Sequence, residues 1–146
     1  MRIVVAAVGK VKERGLREAI DEYAKRIGRH ARFEEVEIKD GPDVEVAARF
    51  RRAIPDRSRV VALEVDGVAW SSERLAELVR SAENGGVSAI AFLIGGAYGL
   101  PAEISREADV RLSLSAMTLP HRIARLVLVE QIYRAYTIVR GEPYSH

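Results

Sequence analysis

VSAIAFLIGGAYGLP, residues 87–101, decides the fold. From Val87 to Ile94 the chain is apolar except for Ser88, and β-branched and aromatic side chains are prominent. A strand with no polar face is one covered on both sides, as in parallel sheets whose crossover helices lie on either face. The glycine turn that follows, Gly95 to Gly99, falls where an open α/β sheet receives ligands, beyond the carboxyl end of a strand. Residues without Cβ let backbone approach closely there. The spacing fits neither the dinucleotide fingerprint Gly-x-Gly-x-x-Gly nor a P-loop, which needs Gly-Lys-Ser/Thr. Taken alone, a tight turn and a ligand loop explain it equally well.

Upstream, Ser71 is placed to cap a helix running to Ala82, with Asn84-Gly85-Gly86 ending it. Arg59–Val65 reads as a buried strand with a turn at Asp66-Gly67, and Asp43–Ala53 as a helix stopped by Pro55. Phe33, Val36 and Ile38 mark a half-exposed strand. Gly15–Arg29 carries Leu16, Ala19, Ile20, Tyr23, Ala24 and Ile27 at helical spacing, and Arg2–Val8 forms the first strand. Downstream come a short helix Pro101–Ala108, a strand Val110–Ala116 and a long helix Pro120–Val139. Strands alternating with helices predict an α/β fold, a mainly parallel sheet flanked by helices. With 146 residues and no dividing linker, a single domain spanning 1–146 is expected.

Composition excludes several classes. No run of 18 apolar residues exists to span a membrane, and the amino-terminal apolar stretch is too short for a signal peptide. The absence of cysteine removes disulfides, thiolate nucleophiles and cysteine metal sites, and fits a cytoplasmic location. The three histidines, His30, His121 and His146, form no metal-ligand spacing with carboxylates, so no metal is expected. No nucleophile elbow Gly-x-Ser-x-Gly is present. Net charge is only +2, but it is distributed in blocks: +5 over 1–32, −5 over 33–48, +4 over 49–59, −5 over 60–110 and +3 over 111–146. Nineteen of the 23 basic residues are Arg, whose forked guanidinium suits phosphate, although a general preference for Arg explains the ratio as well.

Two further stretches invite chemistry. Ser113 to Arg122 (SLSAMTLPHR) joins a strand to a helix through small and hydroxyl residues that expose main-chain donors and acceptors, with Pro120 suited to the first helical position. The helix dipole at that terminus disfavours a cationic His121, leaving the imidazole available as base or hydrogen-bond partner. The last helix is apolar nearly all round, from Ile123 and Leu126 through Val129, Ile132 and Tyr136 to Val139. Such a helix either meets a second chain, giving a two-fold dimer, or is sunk between the strands of its own domain. Glu130 and Arg134 stand at ion-pair spacing on it.

Together, the first strand ending in Val8-Gly9, VVALEVDG followed by Trp70, FLIGGAYGL, LSLSAMTLPH and VEQIYRAYTIVRGEPYSH resemble one bacterial family over essentially the whole chain. It is the ribosomal large-subunit (23S rRNA) pseudouridine N3-methyltransferase H family of the SPOUT methyltransferase superfamily. The resemblance implies a C-terminal trefoil knot and S-adenosylmethionine held by three loops. By motif these contain Leu63, then Gly95 and Gly96, then Ser115, Ala116, Met117, Thr118, Leu119 and Pro120. It implies methylation of N3 of a pseudouridine in helix 69 of 23S ribosomal RNA by a homodimer whose tails reach across the interface; the small size of the chain and its charge layout add assembled ribosomes as the expected substrate. Removing the imide proton makes a base or an anion-stabilising group useful. The candidates are His121, Tyr144, His146 and Arg125, with Arg122 and Arg134 also available. The family tail reads Pro-Tyr-His whereas this chain has Pro143-Tyr144-Ser145-His146, which moves the weight to Tyr144. Arg49, Arg51, Arg52, Arg57 and Arg59 are phosphate candidates. A non-catalytic ribosome- or RNA-binding module would explain the arginines, but not the glycine turn or the SAMTLPH stretch. A different nucleotide-using enzyme would explain the turn alone.

Overall fold

Arg2–Val8 alternates its side chains so that Ile3, Val5 and Ala7 enter one apolar cluster and Val4, Ala6 and Val8 enter another, all buried. A strand buried on both faces must lie inside a sheet with a layer on each side. The computed structural model, which describes residues 1–144, places it so. Five strands, β1 (Arg2–Val8), β2 (Arg32–Ile38), β3 (Ser58–Ala69), β4 (Ala89–Ile94) and β5 (Val110–Ser113), lie in the order β2-β1-β4-β3-β5, every pair parallel. The helices between them are α1 (Arg14–Ile27), α2 (Asp43–Ala53), α3 (Ser72–Asn84), α4 (Ala102–Glu107) and α5 (His121–Arg140). On one face α5 packs against both α1 and α3 over Val61, Ile90 and Phe92; on the other, α2 and α4 cover Ala91 and Leu93 through Phe50 and Ile104. Burying a side chain such as Phe50 or Phe92 contributes about 1.5–3 kcal/mol. The α/β architecture with helices flanking a parallel sheet is as the sequence predicts, and every strand's carboxyl end points to the same edge.

Local chemistry sets the element boundaries. The Ser71 hydroxyl accepts from the Arg74 amide at 3.1 Å and starts α3. β2, an edge strand, alternates exposed and half-buried residues until Ile38 is buried. The turn expected at Asp66-Gly67 does not end β3. Leu63 and Val68 both face Leu112 of β5, so residues 64–67 bulge out before the strand resumes through Ala69. Gly67 permits this, since a Cβ there would come within 2.6 Å of the Arg111 carbonyl oxygen. β5 stops at Ser113, short of the expected Ala116. The Ser113 hydroxyl donates to the Ser115 carbonyl at 2.9 Å, and the Ser115 hydroxyl accepts from the Met117 amide at 3.0 Å. Such side-chain bonds offer the backbone an alternative to the ladder. Pro120 is the residue before α5 rather than its first turn, and its carbonyl accepts from the amides of Ile123 and Ala124. The apolar girth of α5 is explained largely within the chain, because α1, α3 and the sheet cover three of its sides.

Candidate active site

The bulge in β3, the glycine turn after β4 and the irregular loop after β5 leave the sheet side by side, because β3 lies between β4 and β5. Together they enclose a cavity of about 370 Å³. Leu63, Glu64 and Val65 form one wall, Ile94 to Ala97 with Gly99 a second, and the stretch from Leu112 to His121 a third, closed by Ala124. The walls are mainly apolar side chains with main-chain groups exposed at the turns, the composition of a small-molecule site. Gly95 is fixed by space: a Cβ there would overlap the backbone of Gly99 and Leu100. The turn therefore folds back on itself, with the Gly99 amide donating to the Gly96 carbonyl at 3.0 Å.

Most of the sequence candidates meet here. Leu63, Gly95, Gly96, Ser115, Met117, Thr118, Leu119, Pro120 and His121 line the cavity. Ala116 belongs to the same loop but is exposed and outside the wall. The His121 Nδ1 is shielded from solvent and has no hydrogen-bond partner among the described residues, a polar atom that a ligand could satisfy. Its Cε1 lies 3.9 Å from the point a Gly9 Cβ would occupy, so the end of β1 packs beside the ring.

Other candidates are elsewhere. Arg125, one turn along α5, is buried with its side chain 3 % exposed. Its Nη1 donates to Glu35 Oε2 at 3.0 Å and its Nη2 to the Gly9 carbonyl at 2.9 Å. It ties the end of β1 to β2 beside His121 and does not line the cavity. Arg122 pairs with Glu13. Arg134 donates to Glu130 from Nε and Nη2, at 3.1 and 2.7 Å, and is half-buried rather than on a solvated face. The Tyr144 hydroxyl donates to Glu130 at 2.8 Å, and the ring packs edge-on against Tyr133 with its face under the Arg134 guanidinium. Burial, with help from the Tyr23 and Glu130 bonds, pushes the Tyr144 phenol above its ordinary range, so it stays a donor. This cluster sits ~14–20 Å along the helix from His121, at 1.5 Å per residue. His146 lies outside the described residues.

The arginines of 49–59 do not gather at the cavity. Arg49 donates to the carbonyls of Lys39 and Asp40, while Arg51 is held by Glu103 and Glu107. Arg52, Arg57 and Arg59 lie where α2 ends and β3 begins, the edge of the sheet opposite the cavity. Sequence reasoning missed Glu64 and Val65, which only the bulge brings to the wall, and Glu35, whose exposed-strand pattern gave no sign of a buried partner on α5. Among the described residues no group of three His, Cys, Asp or Glu could hold a metal, and no helix is long and apolar enough to cross a membrane.

A parallel α/β sheet with a cavity built from the bulge in β3 and the loops after β4 and β5 defines the class. The family model described as "Predicted SPOUT methyltransferase" matches residues 1–146. A solved structure, "The structure of a probable methylase family protein from Haemophilus influenzae Rd KW20", shares the fold at a TM-score of 0.61 with 14% identity, covering 99% of this chain and 70% of that one. Closer in sequence are proteins named "Ribosomal RNA large subunit methyltransferase H". The one from Sorangium cellulosum (strain So ce56) is 53% identical over 146 residues, 100% of both chains. The one from Acetivibrio thermocellus is 41% identical over 157 residues, 99% of each. The chain belongs to the SPOUT methyltransferases and, within them, to the large-subunit methyltransferase H family.

Proposed function

We propose that the protein transfers the methyl group of S-adenosylmethionine to N3 of a pseudouridine in helix 69 of 23S ribosomal RNA, acting as a homodimer on assembled ribosomes in the cytoplasm. The observation that carries this is the cavity between the β3 bulge and the turns after β4 and β5, with a folded-back glycine turn and, at its edge, a His121 Nδ1 that has no partner among the described residues. The names borne by the relatives support ribosomal RNA as the substrate. The fold likeness supports the trefoil knot expected of the family.

The cavity suits S-adenosylmethionine: apolar walls from Leu63, Leu112 and Leu114 can cover a purine, and the backbones of Gly95–Ala97 and Ser115–Leu119 can meet its polar edge. When bound, this cofactor supplies an electrophilic methyl carbon. The chain's part is to hold the nucleobase in line with that carbon, which lowers the barrier mainly through orientation. N3 gains the methyl and loses its proton, and His121 is placed to accept that proton or to stabilise the imide anion. Arg125, itself held by Glu35, fixes the Gly9 carbonyl in the backbone beside His121.

A dimer would give the remaining candidates a role. Ile123 and Val127 are half-buried, one turn apart on α5, and belong to neither core cluster. They form the stripe a two-fold partner would cover. Tyr144 and Arg134 are too far along α5 to serve their own cavity, so they act in the partner's.

The test uses ribosomes lacking the modification and S-adenosylmethionine labelled on the methyl group. We expect label on a single helix 69 pseudouridine, and His121→Ala to lower the rate by about 10²–10⁴ while cofactor binding persists. Cofactor binding without label would overturn the substrate, and neither would favour a non-catalytic RNA-binding module.

A further inference from the structure

The chain contains four lysines against nineteen arginines, and three of the four, Lys10, Lys12 and Lys39, lie at one place in the fold. Lys10 and Lys12 follow β1, and Lys39 is the first residue after β2. The two strands are neighbours in register, Val8 facing Ile38, and the Gly9 amide donates to the Ile38 carbonyl at 3.0 Å. The pairing therefore reaches the last residue before Lys10 and the last before Lys39, with the two backbones about 5 Å apart. Val11 is buried between Lys10 and Lys12, which anchors the loop and turns both lysines outward. All three are exposed.

Three of the acids close to them are engaged, while Glu37 and Asp43 are exposed. Glu13 pairs with Arg122, Glu45 with Arg49, and one Asp40 oxygen accepts from the Gly41 amide at 2.8 Å. Arg49 holds the Lys39 and Asp40 carbonyls, so the loop carrying Lys39 is fixed from beneath. Position links this rim to the cavity: Gly9, next to Lys10, lies beside His121, which lines it. Three ammonium groups thus stand on a braced edge next to the proposed methyl acceptor site. Of the arginine-rich segment that the charge pattern singled out, Arg52, Arg57 and Arg59 lie at the other end of the sheet.

We infer that Lys10, Lys12 and Lys39 form a phosphate-binding rim that receives the RNA backbone flanking the target base and sets its register over the cavity. Phosphate contacts of this kind fix orientation without reading sequence. The inference rests on the methyltransferase reading above.

The test compares K10Q/K12Q/K39Q with R52Q/R59Q/R106Q, which removes three exposed charges from the opposite edge. Binding of fluorescein-labelled oligouridylate is measured against KCl concentration, alongside kcat and KM on large ribosomal subunits. Each lost single-strand phosphate contact flattens the slope of log K against log salt by about 0.7, so the lysine variant should flatten it by about 2. We expect that variant to raise KM for subunits with kcat and S-adenosylmethionine affinity retained, and K10R/K12R/K39R to restore the slope. The arginine variant should flatten the slope less. An unchanged slope in the lysine variant, or equal effects from the two edges, overturns the rim. Failure of the wild-type protein to methylate any RNA would instead sink the methyltransferase reading, a different result from active enzyme with an indifferent rim.

Discussion

Arg125 and Glu35 form the least exposed ion pair of the fold's interior face, with side chains 3 % and 20 % exposed. Their environments are unequal. Glu35 also receives Arg17, from Nη2 to Oε1 at 2.5 Å and from Nη1 to Oε2 at 3.2 Å, a contact that holds the Arg17 guanidinium above its ordinary range. If Arg125 is replaced by Met, Glu35 keeps a cation. If Glu35 becomes Gln, Arg125 is left buried with only a carbonyl and a neutral amide. Stranding a buried charge costs about 3 kcal/mol or more, so Glu35→Gln should destabilise clearly more than Arg125→Met. Urea unfolding of the two variants checks this, and equal losses would contradict it.

The ends of α3 and α5 are joined by a forked pair, Arg140 Nη1 to Glu83 Oε1 at 3.0 Å and Nη2 to Oε2 at 2.8 Å. The Arg140 hydrogen bonds, opposed by partial burial, hold the Glu83 carboxyl below its usual range. A depressed carboxylate stabilises the fold above its unfolded pKa, near 4.3, and loses that contribution as pH falls through the lower folded value. Glu83→Gln should therefore cost about 0.5 kcal/mol at neutral pH and little below about pH 3. Thermal unfolding measured across that range tests the sign. The helices and most strands were legible because their signals are local: the Ser71 cap, the amphipathic spacing of α1, the apolar run of β4. β3 and β5 were misjudged at their carboxyl ends, where Asp66-Gly67 makes a bulge inside a strand and the hydroxyls of Ser113 and Ser115 divert the backbone. Those irregular ends build the cavity, so Gly95, Ser115 and His121 could be named from sequence while Glu64 and Val65 could not. Charge blocks misled for another reason. A run such as 49–59 carries no direction until the parallel topology assigns it to an edge.

At the scale of the whole molecule, the tail cluster of Tyr144, Glu130 and Arg134 stands apart from the cavity of its own chain, and the proposed dimer would bring it to the partner's, with activity then expected to require assembly. Sedimentation should give a dimer, and Ile123→Glu with Val127→Glu should give a monomer that binds S-adenosylmethionine but transfers no methyl. A wild-type monomer, or an active monomeric variant, would refute the shared site. All five strands also run the same way, so one edge of the sheet holds the cavity and the other holds the α2–β3 and α3–β4 turns. The chain has no cysteine, so Asn84→Cys would place a unique thiol on the exposed far edge. Tethered there to a glass surface, each molecule would present its cavity outward, ready for single-ribosome encounters to be watched one at a time.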